Sequence, residues 1–155
     1  MVTLMIGMQD SLLVLQSSNE YKIHECLKGT DPQIIAFDPQ NPSRAYCSTF
    51  GDGLWKTDDS GQTWNRIGKD VISSHNVTSV SVSPLDRRNK FNKVYVGTEP
   101  STLYISNDGG ESWERMSALN IYHHLHHGVF LQGLGLIMCV GLNQMKITLT
   151  MFLLP

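Results

Sequence analysis

One eight-residue pattern occurs twice in the chain, as Thr57-Asp-Asp-Ser-Gly-Gln-Thr-Trp64 and as Ser106-Asn-Asp-Gly-Gly-Glu-Ser-Trp113. Both copies run hydroxyl, any residue, Asp, any, Gly, any, hydroxyl, Trp. A chain that repeats one turn at a fixed interval folds by repeating a structural unit, which restricts the fold more than any other feature of this sequence. The residue types specify a hairpin. Gly61 and Gly110 accept the positive φ that a tight reversal demands. Asp59 and Asp108 are short acceptors placed to take hydrogen bonds from the turn amides. Trp64 and Trp113 then open the returning strand, where an indole buries a large apolar area between packed sheets.

The interval holds beyond the turns. Tyr46 to Trp64 and Tyr95 to Trp113 both span 18 residues, so the copies are offset by 49 without a gap. Tyr46-Cys-Ser-Thr-Phe-Gly-Asp-Gly-Leu-Trp-Lys56 lies on Tyr95-Val-Gly-Thr-Glu-Pro-Ser-Thr-Leu-Tyr-Ile105, and upstream Ile34-Ile-Ala-Phe-Asp-Pro39 answers Val80-Ser-Val-Ser-Pro84. A worn third copy precedes them. With Gly7 set on Gly97, Leu4-Met-Ile-Gly7 falls on Val94-Tyr-Val-Gly97 and Leu13-Val-Leu15 on Leu103-Tyr-Ile105, while the turn has decayed to Gln16-Ser-Ser-Asn-Glu-Tyr21. Each full copy reads as four short strands, and short strands with turn signals at close spacing specify an all-β fold.

The paired turn resembles the Asp-box of the bacterial neuraminidase repeat, a hairpin turn in the blades of many β-propellers. The positions that carry the resemblance are Thr57, Asp59, Gly61, Thr63 and Trp64, then Ser106, Asp108, Gly110, Ser112 and Trp113. It implies an incomplete β-propeller of about two and a half four-stranded blades, at about residues 1–29, 30–70 and 71–120. In that family the boxes are structural and sit on the outer rim, remote from the catalytic centre. A propeller takes about four to eight blades, so a chain this short is expected not to close a ring. Starting part-way through a blade fits rings that complete one blade from both chain ends. Open faces and unpaired edges make the chain an expected sticky or oligomeric species.

Residues 121–155 are expected to stand outside the repeat as an irregular tail. His123, His124, His126 and His127 crowd five positions, with no acidic or Cys partner at a familiar ligand spacing, so no metal is assigned. The apolar run from Gly128 to Leu142 is 15 residues and holds four glycines, short of the roughly 20 that span a membrane. Back-translated and read two nucleotides later, the tail can encode a segment that lies without a gap on Ile35 to Tyr46. The tail is therefore read as an out-of-frame extension, following a frameshift near codon 120 of a longer propeller gene.

Composition narrows the partners. With 155 residues and 41% hydrophobic content the chain can hold a core of ordinary size. Twelve basic and 14 acidic residues give a formal charge of −2 and no basic patch, so neither nucleic acid nor a membrane surface is an expected partner. Cys26, Cys47 and Cys139 are odd in number and widely spaced, as for free thiols in a reducing compartment. Met1 to Asp10 lacks the basic start of a signal peptide. Its alternation suits a strand, and a cytoplasmic location is expected.

Sialidase-type propellers that share the box are hydrolases, and they need an arginine triad, a Tyr nucleophile with an acidic partner and an acid/base Asp. The arginines here are Arg44, Arg66, Arg87, Arg88 and Arg115, of which Arg66 and Arg115 occupy equivalent positions after the Trp and read as a solvated strand face. Asp38, Asp52, Asp58 and Asp86 could furnish paired carboxylates only if folding brings two together. Asp58-Asp59-Ser60-Gly61 looks like the start of a calcium loop but lacks its distal Glu. Two classes of function follow. The expected one is a non-enzymatic piece of an Asp-box propeller, binding or scaffolding in origin and inactive as this chain. Its intact form would bind protein or carbohydrate through the hairpins Phe50 to Gly53 and Glu99 to Thr102. No catalytic, cofactor-binding or metal residue is assigned. The alternative is a fragment of a sialidase-like or other glycoside hydrolase propeller.

Overall fold

The computed structural model describes residues 2–17, 21–83, 91–116 and 149–150. Among them the chain is all-β, with three antiparallel sheets and no helix. The second sheet holds β4 (Asp31–Asp38), β5 (Asn41–Phe50), β6 (Gly53–Thr57) and β7 (Asn65–Ile67), hydrogen-bonded in chain order. The third repeats that order with β8 (Val77–Val82), β9 (Val94–Thr98), β10 (Thr102–Ser106) and β11 (Glu114–Arg115). The first contains β1 (Val2–Gly7), β2 (Leu12–Ser17) and β3 (Tyr21–Cys26), with β12 (Leu149–Thr150) on the outer side of β1.

The sheets stack face to face, with the second in the middle, and strand register decides which residues fill each layer. Ladder partners share a face, and successive residues alternate between faces. Ile35, Cys47 and Trp55 are therefore cross-strand neighbours on one face, and Ala36, Tyr46 and Lys56 on the other. The first set packs towards the first sheet, in a core of Met5, Leu12, Val14, Ile35, Phe37, Ala45 and Cys47. The second set packs towards the third sheet, in a core that joins Tyr46 and Leu54 to Val80, Val94, Val96, Tyr104 and Trp113. Burial on both faces is why Ile34-Ile-Ala-Phe37 is a continuous apolar run and not an alternating one. Each fully buried aliphatic side chain contributes about 1.5–3 kcal/mol, so the two layers hold the stack together.

The 49-residue offset survives in three dimensions. Tyr46 pairs with Lys56 and Tyr95 with Ile105, so equivalent residues hold equivalent ladder positions. The opening strands of both copies also carry a register shift at the same place, between Pro32 and Ile34 and between Val77 and Ser79.

The worn first copy needs a correction. Gly7 pairs with Leu12, as Gly97 pairs with Leu103. The residues equivalent to Leu103 and Ile105 are therefore Leu12 and Val14, not Leu13 and Leu15. The link between β1 and β2 is one residue shorter than that between β9 and β10, and a one-residue slip moves every side chain to the opposite face. Leu12 and Val14 are fully buried against the second sheet, whereas Leu13 and Leu15 face away from it.

Most of the tail lies outside the described residues, including the four clustered histidines, the Gly128 to Leu142 run and Cys139. Leu149 and Thr150, however, belong to a strand. They pair with Ile6 and Met5, just as Ile35 and Ala36 pair with Cys47 and Tyr46, and Val80 and Ser81 with Val96 and Tyr95. All three pairs run aliphatic then small in the same chain direction. The tail thus supplies two residues with the chemistry of an opening strand, which the expectation of an irregular tail did not include.

Candidate functional site: the paired turns

The two boxes fold alike, because each hydroxyl-Asp-hydroxyl set closes a network inside its own turn. Thr57 Oγ1 donates to Asp59 Oδ1 at 2.7 Å and accepts the Gly61 amide at 2.9 Å. The Asp59 carboxylate accepts the Thr63 amide at 2.9 and 3.1 Å and the Thr63 hydroxyl at 2.6 Å. In the second turn Ser106 Oγ donates to Asp108 Oδ1 at 2.8 Å and accepts the Gly110 amide at 2.7 Å. Asp108 accepts the Ser112 amide at 2.9 and 3.1 Å, its hydroxyl at 2.5 Å and the Glu111 amide at 3.1 Å. Each Trp indole donates to the carbonyl of the box glycine, Trp64 to Gly61 at 3.2 Å and Trp113 to Gly110 at 3.1 Å.

The reversal uses two consecutive positive-φ residues, Ser60 (61°) with Gly61 (88°), and Gly109 (76°) with Gly110 (94°). The motif spacing identified only the second of each pair. Space as well as conformation requires glycine there. A Cβ on Gly61 would lie 2.8 Å from Met5 Cε, and one on Gly110 would lie 2.8 Å from Ile67 Cδ1.

Those close approaches show what the turns touch. Each box sits on the preceding sheet, whose side chains take its backbone carbonyls. Gln16 Nε2 donates to Ser60 O at 3.1 Å, Cys26 Sγ donates to Gly61 O at 3.4 Å, and His24 Nε2 stands 3.0 Å from the same oxygen. At the equivalent point of the second box, Tyr46 Oη donates to Gly109 O at 3.0 Å. Burial pushes the pKa of the Cys26 thiol and the Tyr46 phenol up, so both side chains stay protonated as donors at neutral pH. The stretch that links the second and third strands of the first sheet carries no copy of the motif. Ser17 pairs directly with Tyr21 across a three-residue link, too short for the network.

Beside the second box an ion cluster joins the second and third sheets. Arg44 donates to Asp58 Oδ1 at 2.6 Å and to Asp38 Oδ2 at 3.4 Å, and its guanidinium lies 4.9 Å from the centre of the Phe91 ring. Asn92 Nδ2 donates to Asp38 Oδ1 at 2.8 Å, and Lys56 Nζ bridges Asp58 at 3.3 Å and Glu111 at 3.0 Å. In the sequence Asp38 and Asp58 stand as candidate carboxylates and Arg44 as one of five arginines, with nothing to connect them. Folding unites them as counter-ions. Asp52 lies at the opposite end of the strands, in the link between β5 and β6, and Asp86, Arg87 and Arg88 are outside the described residues. Arg66 and Arg115 hold equivalent ladder positions opposite Trp55 and Tyr104. Among the described residues no group of three or more His, Cys, Asp and Glu stands close enough to hold a metal ion.

At the other end of the strands the link from Gly68 to Asn76 ties two hairpins together. The Gly53 amide donates to His75 O at 2.8 Å, the Glu99 amide to Asn76 O at 2.9 Å, and Ser74 Oγ to Glu99 O at 2.6 Å. Phe50 and Val71 are exposed there.

The Asp59 network has a pH signature. Partial burial opposes ionisation, but hydrogen bonds from Thr63 and Thr57 outweigh it and hold the carboxyl at about 2. The equivalent bonds lower Asp108. A carboxyl depressed in the folded state contributes stability above its ordinary value of about 4, and that contribution is lost as pH falls towards 2. Urea midpoints should therefore fall between about pH 4 and 2, and Asp59→Asn with Asp108→Asn should flatten that part of the curve. At pH 7, Asp59→Ala should cost about 2 kcal/mol by leaving the turn donors unpaired. An unchanged midpoint would show that water replaces the carboxylate without penalty.

Comparison with known proteins found no family model that matches the chain, and no curated protein matches it.

Proposed function

We propose that this chain is part of an Asp-box β-propeller that acts as a non-enzymatic binding scaffold. The observation that carries this reading is how the boxes are used. Their carboxylates are consumed inside the turns, and turn carbonyls are taken by the preceding sheet. Such a turn joins successive blades, and its Asp carboxylates and motif hydroxyls are engaged within it. Arg44 engages both Asp38 and Asp58, which removes them as the free acid and base that glycoside hydrolysis requires. Partner contact is assigned to the opposite end, where the hairpins around Phe50 and Glu99 are held side by side by the Gly68 to Asn76 link.

The test is a panel of fluorogenic glycosides, sialosides included, assayed with the purified chain. No turnover above buffer is expected. Turnover that follows the protein through purification and disappears in Asp52→Asn would overturn the scaffold assignment in favour of a hydrolase.

A further inference from the structure

Half of the exposed large hydrophobic residues among those described stand at the end of the strands opposite the boxes. Met8 is 46% exposed in the link between β1 and β2, Phe50 is 41% exposed at the end of β5, and Val71 is 43% exposed in the link from β7 to β8. They belong to one continuous surface, because the links that carry them are tied together. The Gly29 amide donates to Asp10 O at 2.7 Å, which joins the first hairpin to the strand start where Asp31 pairs with Phe50. The Gly53 amide donates to His75 O at 2.8 Å, and the Glu99 amide to Asn76 O at 2.9 Å. Apolar side chains left in water on one such surface, with polar residues around them, mark a place where another molecule binds.

Every one of these apolar residues has an acid beside it. Asp10 follows Met8 by two positions, Asp52 follows Phe50 by two, Asp70 precedes Val71, and Asp31 stands opposite Phe50 in the ladder. Glu99 adds a carboxylate on the third hairpin. None of these five acids forms an ion pair with another described residue. Cations are fewer here: Lys28 is held by Glu25 at 2.9 Å, which leaves Lys69 and Arg66, whose guanidinium lies beside Gly53. The box end differs, since Arg44 engages Asp38 and Asp58 there and the turns engage Asp59 and Asp108.

We infer that this end docks a basic segment of a partner protein, one in which large apolar side chains are interspersed with lysine or arginine; this names the partner of the scaffold reading above and rests on it. Charge decides the occupant. Unpaired carboxylates repel nucleic acid and anionic lipid headgroups, whereas a cationic segment meets a carboxylate next to each apolar contact. Spacing decides its form. Met8 and Phe50 come from different sheets, and stacked sheets stand about 10 Å apart, so they suit apolar side chains set at intervals along a segment and not one bulky group. The apolar contacts hold the segment, and the surrounding acids steer its approach and fix its orientation.

Fluorescence anisotropy of a labelled peptide of four Lys-Phe-Lys repeats, whose Phe residues lie about 10 Å apart when extended, reads the contact with the full chain. Binding should saturate and should weaken as salt rises, and neither the version with Glu for Lys nor the version with Ser for Phe should saturate. Asp10→Lys with Asp52→Lys and Glu99→Lys should weaken binding about tenfold, as for the loss of three exposed ion pairs, and Met8→Ser with Phe50→Ser should weaken it about as much. Glu114→Lys, next to the second box, should leave it unchanged. Circular dichroism checks that each variant folds, and Asp10→Asn with Glu99→Gln replaces a charge variant that does not. Failure of the basic peptide to saturate would overturn the inference. So would equal binding of either control peptide, or an equal loss in Glu114→Lys, which would mean that net charge and not this end holds the peptide. Self-association abolished by Phe50→Ser, with no peptide bound, would assign the surface to a second copy and overturn the inference too. A chain that binds the basic peptide yet turns over a glycoside would keep this surface and sink the scaffold reading. One that does neither would sink this surface and leave the scaffold reading standing.

Discussion

Replacing Trp113 by alanine is expected to cost about 4 kcal/mol, the range for deleting a buried aromatic side chain. The indole is 6% exposed and belongs to the core between the second and third sheets, with Tyr46, Leu54 and Ile72. Its removal takes away the apolar area and leaves a cavity that the surrounding strands cannot collapse to fill. The Gly110 carbonyl also loses the indole donor at 3.1 Å. Trp64 holds the same place in the first box but is only half-buried, packed against the edge of the other core. Trp64→Ala should therefore cost about half as much. Urea denaturation of the two variants measures the difference. Equal losses would mean that the two boxes carry the same load despite their unequal burial.

Arg44→Ala should cost about 3 kcal/mol, because it strands a carboxylate away from water. Asp38 is 3% exposed; its Oδ1 accepts from the Asn92 side chain and the Gln40 backbone amide, and Arg44 is the partner of its Oδ2. Asp58, also held by Arg44, is half-exposed and keeps Lys56, so it suffers less. Lysine at position 44 would restore a positive charge but not the planar fork that reaches both acids while lying over Phe91. Arg44→Lys should thus recover only part of the loss. The double variant Arg44→Met with Asp38→Asn removes the stranded charge and should be milder than Arg44→Ala. If the double variant is the less stable of the two, Asp38 is held by the Asn92 and Gln40 donors without Arg44, and the assignment of Arg44 as its counter-ion needs revision.

The boxes were legible because their chemistry is local. The hydrogen bonds of Asp59 run to Thr57 and Thr63 inside one turn, so a linear pattern of residue types contains the network. The ion cluster was not legible for the opposite reason. Asp38, Arg44, Asp58 and Asn92 are drawn from two sheets and from positions up to 54 residues apart, and no spacing rule connects them. Ser60 escaped notice because only Gly advertises positive φ, although Ser60 carries it at 61°. The slip in the first copy arose because the ungapped alignment preserved residue type and lost register. Leu12, Leu13, Val14 and Leu15 are all apolar, so hydrophobicity cannot say which two face the core, and only the ladder from Gly7 to Leu12 decides it.

By itself the amino-acid sequence determined the all-β class, the 49-residue unit and the conformation of its two turns. Those depend on residue type at short range and on a period that can be counted. Tertiary structure alone decided that the second sheet is buried on both faces, that each box seats on the sheet before it, and that Leu149 and Thr150 stand where an opening strand stands. Sheet stacking is set by which alternate residues point each way, and that is fixed only once strands pair in register across tens of residues.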